Sequence, residues 1–304
     1  MSNEKTVHRS GFVNIIGRPN VGKSTLMNAL VGERMSIITN KPQTTRHRII
    51  GILSGDDYQI VFSDTPGIIQ DPSYKMHQMM NRFVNTSFED ADLMLFVTEK
   101  AEQYQADDPI IQRLREVKIP LFLVINKVDL AQPEEIIELI QFWNDLVPFT
   151  ETIPISALQK HNTETLFKLI LEQLPEGPVY YPKDQLTDRP ERFFVSEIIR
   201  EKILLLYQQE IPYSCEVTVE SFKETTTKRG EPLVRISALI FVGRKTQKPI
   251  IIGKGGASIK KLGSEARKDI EKFLEQKVFL ELHVKVKDNW RDDDRLLKSF
   301  GYSN

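Results

Sequence analysis

The chain has 304 residues, 41 Lys+Arg against 42 Asp+Glu and a formal charge of −1, with 40% hydrophobic and 27% charged residues. That length suggests two domains, and the composition supports a core in each while excluding a collagen, a disordered tail protein or a disulfide-stapled miniprotein. Cys215 is the only cysteine, so no intrachain disulfide can form and a reducing, cytoplasmic compartment is expected; no apolar run nears the roughly 20 residues of a membrane span, and the N-terminal MSNEKTVHRSG has no signal-peptide stretch.

Short apolar runs at 12–17, 49–53, 59–63, 93–98, 121–126 and 152–156 read as strands. Amphipathic stretches of helical length lie between most of them, such as 109–117 and 133–146. The runs at 93–98 and 121–126 are apolar throughout, as strands covered on both faces should be. Strands alternating with helices predict an α/β domain with a mostly parallel sheet and helices on both faces. Its last helix starts near Asn162 or Thr163 and ends about Leu174.

Pro175, Gly177, Pro178, Pro182 and Pro190 then interrupt the pattern, since proline at that density continues neither a helix nor a central strand. We read residues 1–176 as the first domain, 177–190 as a linker and 191–304 as the second domain with a polar tail. The second domain reads helix (193–209), strand (215–220), strand (232–242), helix (256–275) and strand (278–287), an α+β unit.

The first strand leads into Gly17-Arg-Pro-Asn20-Val21-Gly22-Lys23-Ser24-Thr25 and a helix, which matches the phosphate-loop pattern in residue type, spacing and context. Glycines let backbone N–H groups line a concave anion nest, and the helix N-terminus adds its positive end. Lys23 can reach the β- and γ-phosphates of a nucleotide, and the Ser24 hydroxyl can ligate Mg²⁺. Asp64-Thr65-Pro66-Gly67-Ile68, Asn126-Lys127-Val128-Asp129 and Ser156-Ala157-Leu158 each follow or end a predicted strand, so they converge on one crevice. Asp64 can hold Mg²⁺ through water. The two oxygens of Asp129 match the N1–H and 2-amino donors of guanine, a donor pair that adenine lacks. Asn126 and the Ala157 N–H can address the guanine carbonyl.

With these four segments in this order, the first domain resembles the GTP-binding proteins of the translation-factor-related class. The resemblance implies that Thr44-Thr45-Arg46 is the switch I segment, with Thr45, or alternatively Thr44, closing on Mg²⁺ and the γ-phosphate. It implies that Gly67 is the switch II amide that senses the γ-phosphate, which makes Lys23, Thr45 and Gly67 the expected catalytic set. Ras-like proteins place a water-orienting glutamine where this chain has Ile68, so slow intrinsic hydrolysis is expected. Relatives with a hydrophobic residue there sometimes use a K⁺ ion held partly by an asparagine at the position of Asn20; the alternative is that Asn20 merely caps the loop.

The charge is unevenly divided: residues 1–190 carry 19 basic and 25 acidic side chains, and residues 191–304 carry 22 and 17. The stretch 232–264 has no acidic residue but contains Arg235, Arg244, Lys245, Lys248, Lys254, Lys260 and Lys261, the pattern of a polyanion-binding surface. Inside it, Gly253-Lys254-Gly255-Gly256 opens a predicted helix. A Gly-x-x-Gly turn there fits a type II KH module, whose loop clamps a short single strand of RNA. Lys254, Lys260, Lys261, Arg244, Lys245 and Lys248 would supply charge, while Ile250–Ile252 reads mainly as core. The five histidines are scattered, Asp292-Asp293-Asp294 reads as solvated tail, and Trp143 and Trp290 read as packing residues.

Together with Pro42-Gln-Thr-Thr-Arg46, Pro190-Glu-Arg-Phe193, Ser196-Glu-Ile-Ile-Arg-Glu201 and Ile211-Pro-Tyr-Ser214, these motifs make the chain resemble the Era family of bacterial GTPases over about residues 7–295. The resemblance implies GTP hydrolysis with Mg²⁺, binding of the 3′ end of 16S ribosomal RNA and the 30S subunit, and a role in RNA processing and subunit maturation. It also implies peripheral association with the inner membrane face; a monomer and no DNA partner are expected. Two other readings stay open: an RNA-binding assembly chaperone that uses nucleotide only structurally, and a tRNA-modification GTPase, which would need cysteine chemistry beyond Cys215.

Overall fold

The two runs that are apolar throughout become two adjacent inner strands of a six-stranded sheet. A computed structural model describes residues 7–302. Its first sheet contains β1 (Arg9–Ile16), β2 (Ile49–Ser54), β3 (Tyr58–Asp64), β4 (Leu93–Glu99), β5 (Leu121–Asn126) and β6 (Glu151–Pro154), in the order β2-β3-β1-β4-β5-β6. All neighbours are parallel except β2, which runs antiparallel to β3 at one edge. β5 is buried at every position and β4 at all but its last, because helices cover both faces. The parallel register brings Asp64, Asn126 and the ends of β1 and β6 to the same side of the sheet.

Five helices of this half are α1 (Lys23–Val31), α2 (Lys75–Thr86), α3 (Pro109–Glu116), α4 (Pro133–Leu146) and α5 (Thr163–Gln173). α3 starts where Asp108 caps Ile110 N and Pro109 fills the first turn, a position that needs no N–H donor. Trp143 of α4 is buried against Phe96, Tyr104 and Phe149, a packing role as expected. Residues 177–187 lie along the first sheet: Gly177 N donates to His8 O, Gln59 holds Tyr180 N and Tyr181, and Ile52 N donates to Leu186 O.

The second half contains α6 (Glu191–Leu206), β7 (Cys215–Thr226), β8 (Pro232–Val242), α7 (Gln247–Ile252), α8 (Ala257–Leu274), β9 (Lys277–Val286) and α9 (Asp294–Ser299). β7 and β8 pair antiparallel and β8 and β9 parallel. One face of this sheet buries Cys215, Val217, Ile236 and Ile240 against Ile199 and Ile203 of α6 and Leu262, Ala266 and Ile270 of α8. The spacing of four along α8 puts its three residues on one stripe.

Three sequence readings change here. β7 continues six residues past 220, because its backbone ladder with β8 persists after the side chains turn polar. Ile250–Ile252 closes a short helix, and only Ile251 is fully buried, while Ile250 is 50% exposed. The acidic triplet is structured: Asp293 caps α9 through Arg295 N and Leu296 N, and Asp292 and Asp294 hold Lys75.

By compactness the described chain forms two units: Ile37–Thr44 and Pro72–Met79 group with the residues after 188, and the rest forms the other. No helix among the described residues is long and apolar enough to cross a membrane.

Candidate nucleotide and nucleic-acid sites

β1 delivers the chain into the loop 17–22, and α1 begins at Lys23. Gly22 has φ 97°, and a Cβ there would stand 2.2 Å from Asn126 Nδ2, so both backbone conformation and space require glycine. Asn20 also adopts a left-handed conformation, with φ 66°. The Lys23 ammonium is buried and donates to Gly17 O at 3.0 Å and Arg18 O at 2.7 Å. Burial lowers its pKa to about 8, against the opposing pull of Asp64 and Glu102. Val21 is buried, and Thr25 lies half-buried on α1.

Asp64 ends β3 fully buried. Its Oδ2 accepts from Ser24 Oγ at 2.6 Å, from Ser36 Oγ at 2.9 Å and from Thr45 Oγ1 at 3.4 Å; Ser24 and Thr45 lie 2.8 Å apart. Its Oδ1 is buried with no hydrogen-bond partner among the described residues. Burial raises the Asp64 pKa, and the Ser24 hydroxyl, the Lys23 charge and the Ser36 and Thr45 hydroxyls oppose that. Thr44 Oγ1, by contrast, meets Thr39 Oγ1 and Lys41 O, each at 2.6 Å.

Thr65 Oγ1 donates to Ile15 O, which ties the start of the 64–68 turn to β1. Pro66 is buried, and Gly67 packs so closely on Pro19 that a Cβ would meet its nitrogen at 2.6 Å. Ile68 N reaches Gly17 O at 3.5 Å, which brings this turn against the phosphate loop.

Asn126 joins three segments. Its Nδ2 donates to Val21 O at 2.8 Å and its Oδ1 accepts from Ala157 N at 3.0 Å. The Ala157 N–H is therefore engaged with Asn126 in this arrangement, while Asn126 Nδ2 keeps a second proton. Val128 N donates to Ile155 O, and Lys127 Nζ pairs with Glu99 at 2.9 Å. Asp129 is exposed, Ser156 Oγ accepts from Gln159 N, and Leu158 stands 80% exposed. The expected nucleotide residues thus share one end of one sheet. Sequence reading missed Ser36, which carries no motif.

In the second half, Gly253 (φ 74°), Gly255 (φ 59°) and Gly256 (φ 80°) precede α8. A Cβ on Gly253 would stand 2.8 Å from Ser258 N, so only glycine lets this turn fold against the helix start. Lys254, Lys260, Lys261, Arg244, Lys245 and Lys248 are all exposed, and Tyr207 Oη donates to Ile251 O behind the loop.

A phosphate loop, two switch-like turns and a guanine-type acidic loop on an α/β sheet, followed by an α-β-β-α-α-β module with a glycine loop, define a phosphate-loop GTPase joined to a type II KH domain. A family model described as "50S ribosome-binding GTPase" matches residues 12–127, and one described as "KH domain" matches residues 210–291. GTPase Era of Clostridium kluyveri is 48% identical over 295 residues, 97% of this chain and 99% of that protein. The crystal structure of Era in complex with MgGDPNP and nucleotides 1506–1542 of 16S ribosomal RNA matches with a TM-score of 0.92 at 38% identity, covering 98% of this chain and 100% of that one. A tyrosine-to-alanine variant of Aquifex aeolicus Era bound to GDP·AlF4⁻ matches with a TM-score of 0.91 at 38% identity, covering 97% and 100%. The chain belongs to the Era GTPase family, and it is a GTPase.

Proposed function

We propose that this GTPase is a switch that binds the 3′ end of 16S ribosomal RNA through the glycine loop at 253–256 and acts in 16S processing and 30S subunit biogenesis. The observation that carries this reading is one chain holding both a guanine-nucleotide site and a basic KH loop, similar over nearly its whole length to an Era solved with both ligand types. The nucleotide-domain model names the large subunit in its description, but it spans only residues 12–127; the match that includes the KH half is the one with small-subunit RNA.

The residues present fit Mg²⁺. Ser24 and Thr45 offer hydroxyl oxygens, and the buried, unpartnered Asp64 Oδ1 has the character of a group that awaits a metal-bound water. When bound, Mg²⁺ would neutralise charge that develops on the β- and γ-phosphate oxygens. Lys23 would leave the Gly17 and Arg18 carbonyls for those oxygens, the Gly67 N–H would hold the γ-phosphate, and water would attack phosphorus as the bond to the bridging oxygen breaks. Asp129 would take the guanine N1–H and 2-amino group, with the 126–128 and 156–158 loops enclosing the base. Since Ile68 cannot orient water, we propose that K⁺ held by Asn20 speeds hydrolysis; equal rates in K⁺ and Na⁺ would overturn this.

Lys254, with Lys260, Lys261, Arg244, Lys245 and Lys248 around it, would meet the RNA phosphates. Crosslinking and sequencing of RNA bound in GTP tests the assignment. The 3′ end of 16S RNA should be enriched with the wild type and depleted with Lys254→Glu, and no enrichment would overturn the RNA reading while leaving the GTPase intact. A Lys23→Ala protein that still supports assembly would favour the chaperone reading. The buried Cys215, whose thiol donates to Ile211 O, does not favour cysteine chemistry on tRNA. We propose a cytoplasmic monomer that touches the inner membrane face peripherally; co-sedimentation with vesicles tests the membrane contact, and protein that stays in the supernatant would overturn it.

A further inference from the structure

Three hydroxyls converge on Asp64 Oδ2, and they have different duties. Ser24 and Thr45 are the two that the magnesium reading assigns to the metal. Ser36 is left, 1% exposed, donating to Oδ2 at 2.9 Å. Its place is set by Asn28, one helical turn after Ser24 on the same face of α1. Asn28 Oδ1 accepts from Met35 N and Ser36 N, both at 2.9 Å, and its Nδ2 donates to Ser36 O at 2.8 Å. One side chain thus fixes both backbone groups of Ser36, and α1 reaches the carboxylate twice, directly through Ser24 and indirectly through Asn28 and Ser36.

We infer that Ser36, held by Asn28, is a positioning residue for the magnesium site: it retains Asp64 Oδ2 so that Oδ1 stays turned toward the metal's water. This rests on the magnesium reading above. A carboxylate held only by groups that also serve the metal would lose its orientation whenever those groups turned away. Ser36 supplies a hydrogen bond that the metal does not compete for. It is charge-assisted and buried, the class whose loss costs most.

The test is the release rate of a fluorescent GDP as free Mg²⁺ is varied. Ser36→Ala should raise the half-saturating Mg²⁺ about tenfold while leaving release in EDTA unchanged. Asn28→Ala keeps the hydroxyl but frees the backbone that aims it, and should shift the same midpoint in the same direction by less, so the inference stays testable if Ser36→Ala folds poorly. An unchanged midpoint in both variants, or release that speeds equally with and without Mg²⁺, would overturn the inference. If Mg²⁺ has no effect on the wild type, the magnesium reading itself fails.

Discussion

Lys23 sits 5% exposed, with two backbone carbonyls as its hydrogen-bond partners among the described residues. Lowering its pKa from 10.5 to about 8 corresponds to roughly 3 kcal/mol of folding free energy at neutral pH. Removing the ammonium leaves two carbonyls short of a donor, at about 1 kcal/mol each, so Lys23→Met should melt no lower than the wild type in the absence of nucleotide. Its Kd for GTP should rise by about 100-fold, since a charged contact to phosphate is lost. The unfolded lysine keeps its proton to about 10.5 and the folded one to about 8. The cost is therefore full below pH 8, shrinks as pH rises through that window and vanishes above it, so any stability advantage of Lys23→Met should shrink likewise. Thermal melts across pH 7–10.5 check this, and a clear drop in the variant's melting temperature would contradict it. Lys23, Ser24 and Asp64 are legible in sequence because spacing along one loop or strand end defines them. Ser36 and Asn28 are not: their meeting depends on how the segment after α1 folds back onto it.

At the level of elements, strands and most of the longer helices were readable because burial on one or both faces leaves a periodic trace, although the twelve-residue α2 escaped that reading. α6 shows where that trace stops informing. Its apolar residues mark it as a core helix, yet it also carries Glu197, Arg200 and Glu201, all buried. Arg200 pairs with Glu197 at 2.6 Å and donates to Gln43 O at 3.3 Å and to Thr44 O. Burial disfavours the Arg200 charge, and Glu197 more than offsets it, holding the guanidinium above its ordinary value. Glu201 accepts from Ile38 N, and Lys41 Nζ donates to Tyr207 O at 2.5 Å. A helix pattern records which residues face inward, not which distant backbone they grip. α7 and α9 escaped sequence reading for a simpler reason: six residues are too few to establish a period.

At the scale of the whole molecule, the formal charge of −1 divides into an acidic half with the phosphate loop and a basic half with the glycine loop at 253–256. RNA affinity should therefore follow the lysines around Gly253 and fall with salt. The two halves are interleaved along the chain. Ile37–Thr44, ending one residue before Thr45, and Pro72–Met79, starting five residues after Gly67, both belong to the second unit. Nucleotide that orders Thr45 and Gly67 should thereby bias the second unit. RNA affinity is expected to differ about 5- to 150-fold between GTP-analogue and GDP forms, with RNA raising or lowering GTP-analogue affinity relative to GDP by the same factor. Equal RNA Kd values in the two forms would exclude the coupling. By itself the sequence determined the nucleotide class, the KH loop and the division of charge, because each depends on residue types at short, fixed spacing. Only the tertiary structure decided that Thr45 rather than Thr44 lies beside Ser24 and Asp64, that Ser36 shares that carboxylate, and that two segments of the nucleotide half fold with the other unit. Those depend on contacts between residues far apart in the chain, which leave no period and no motif.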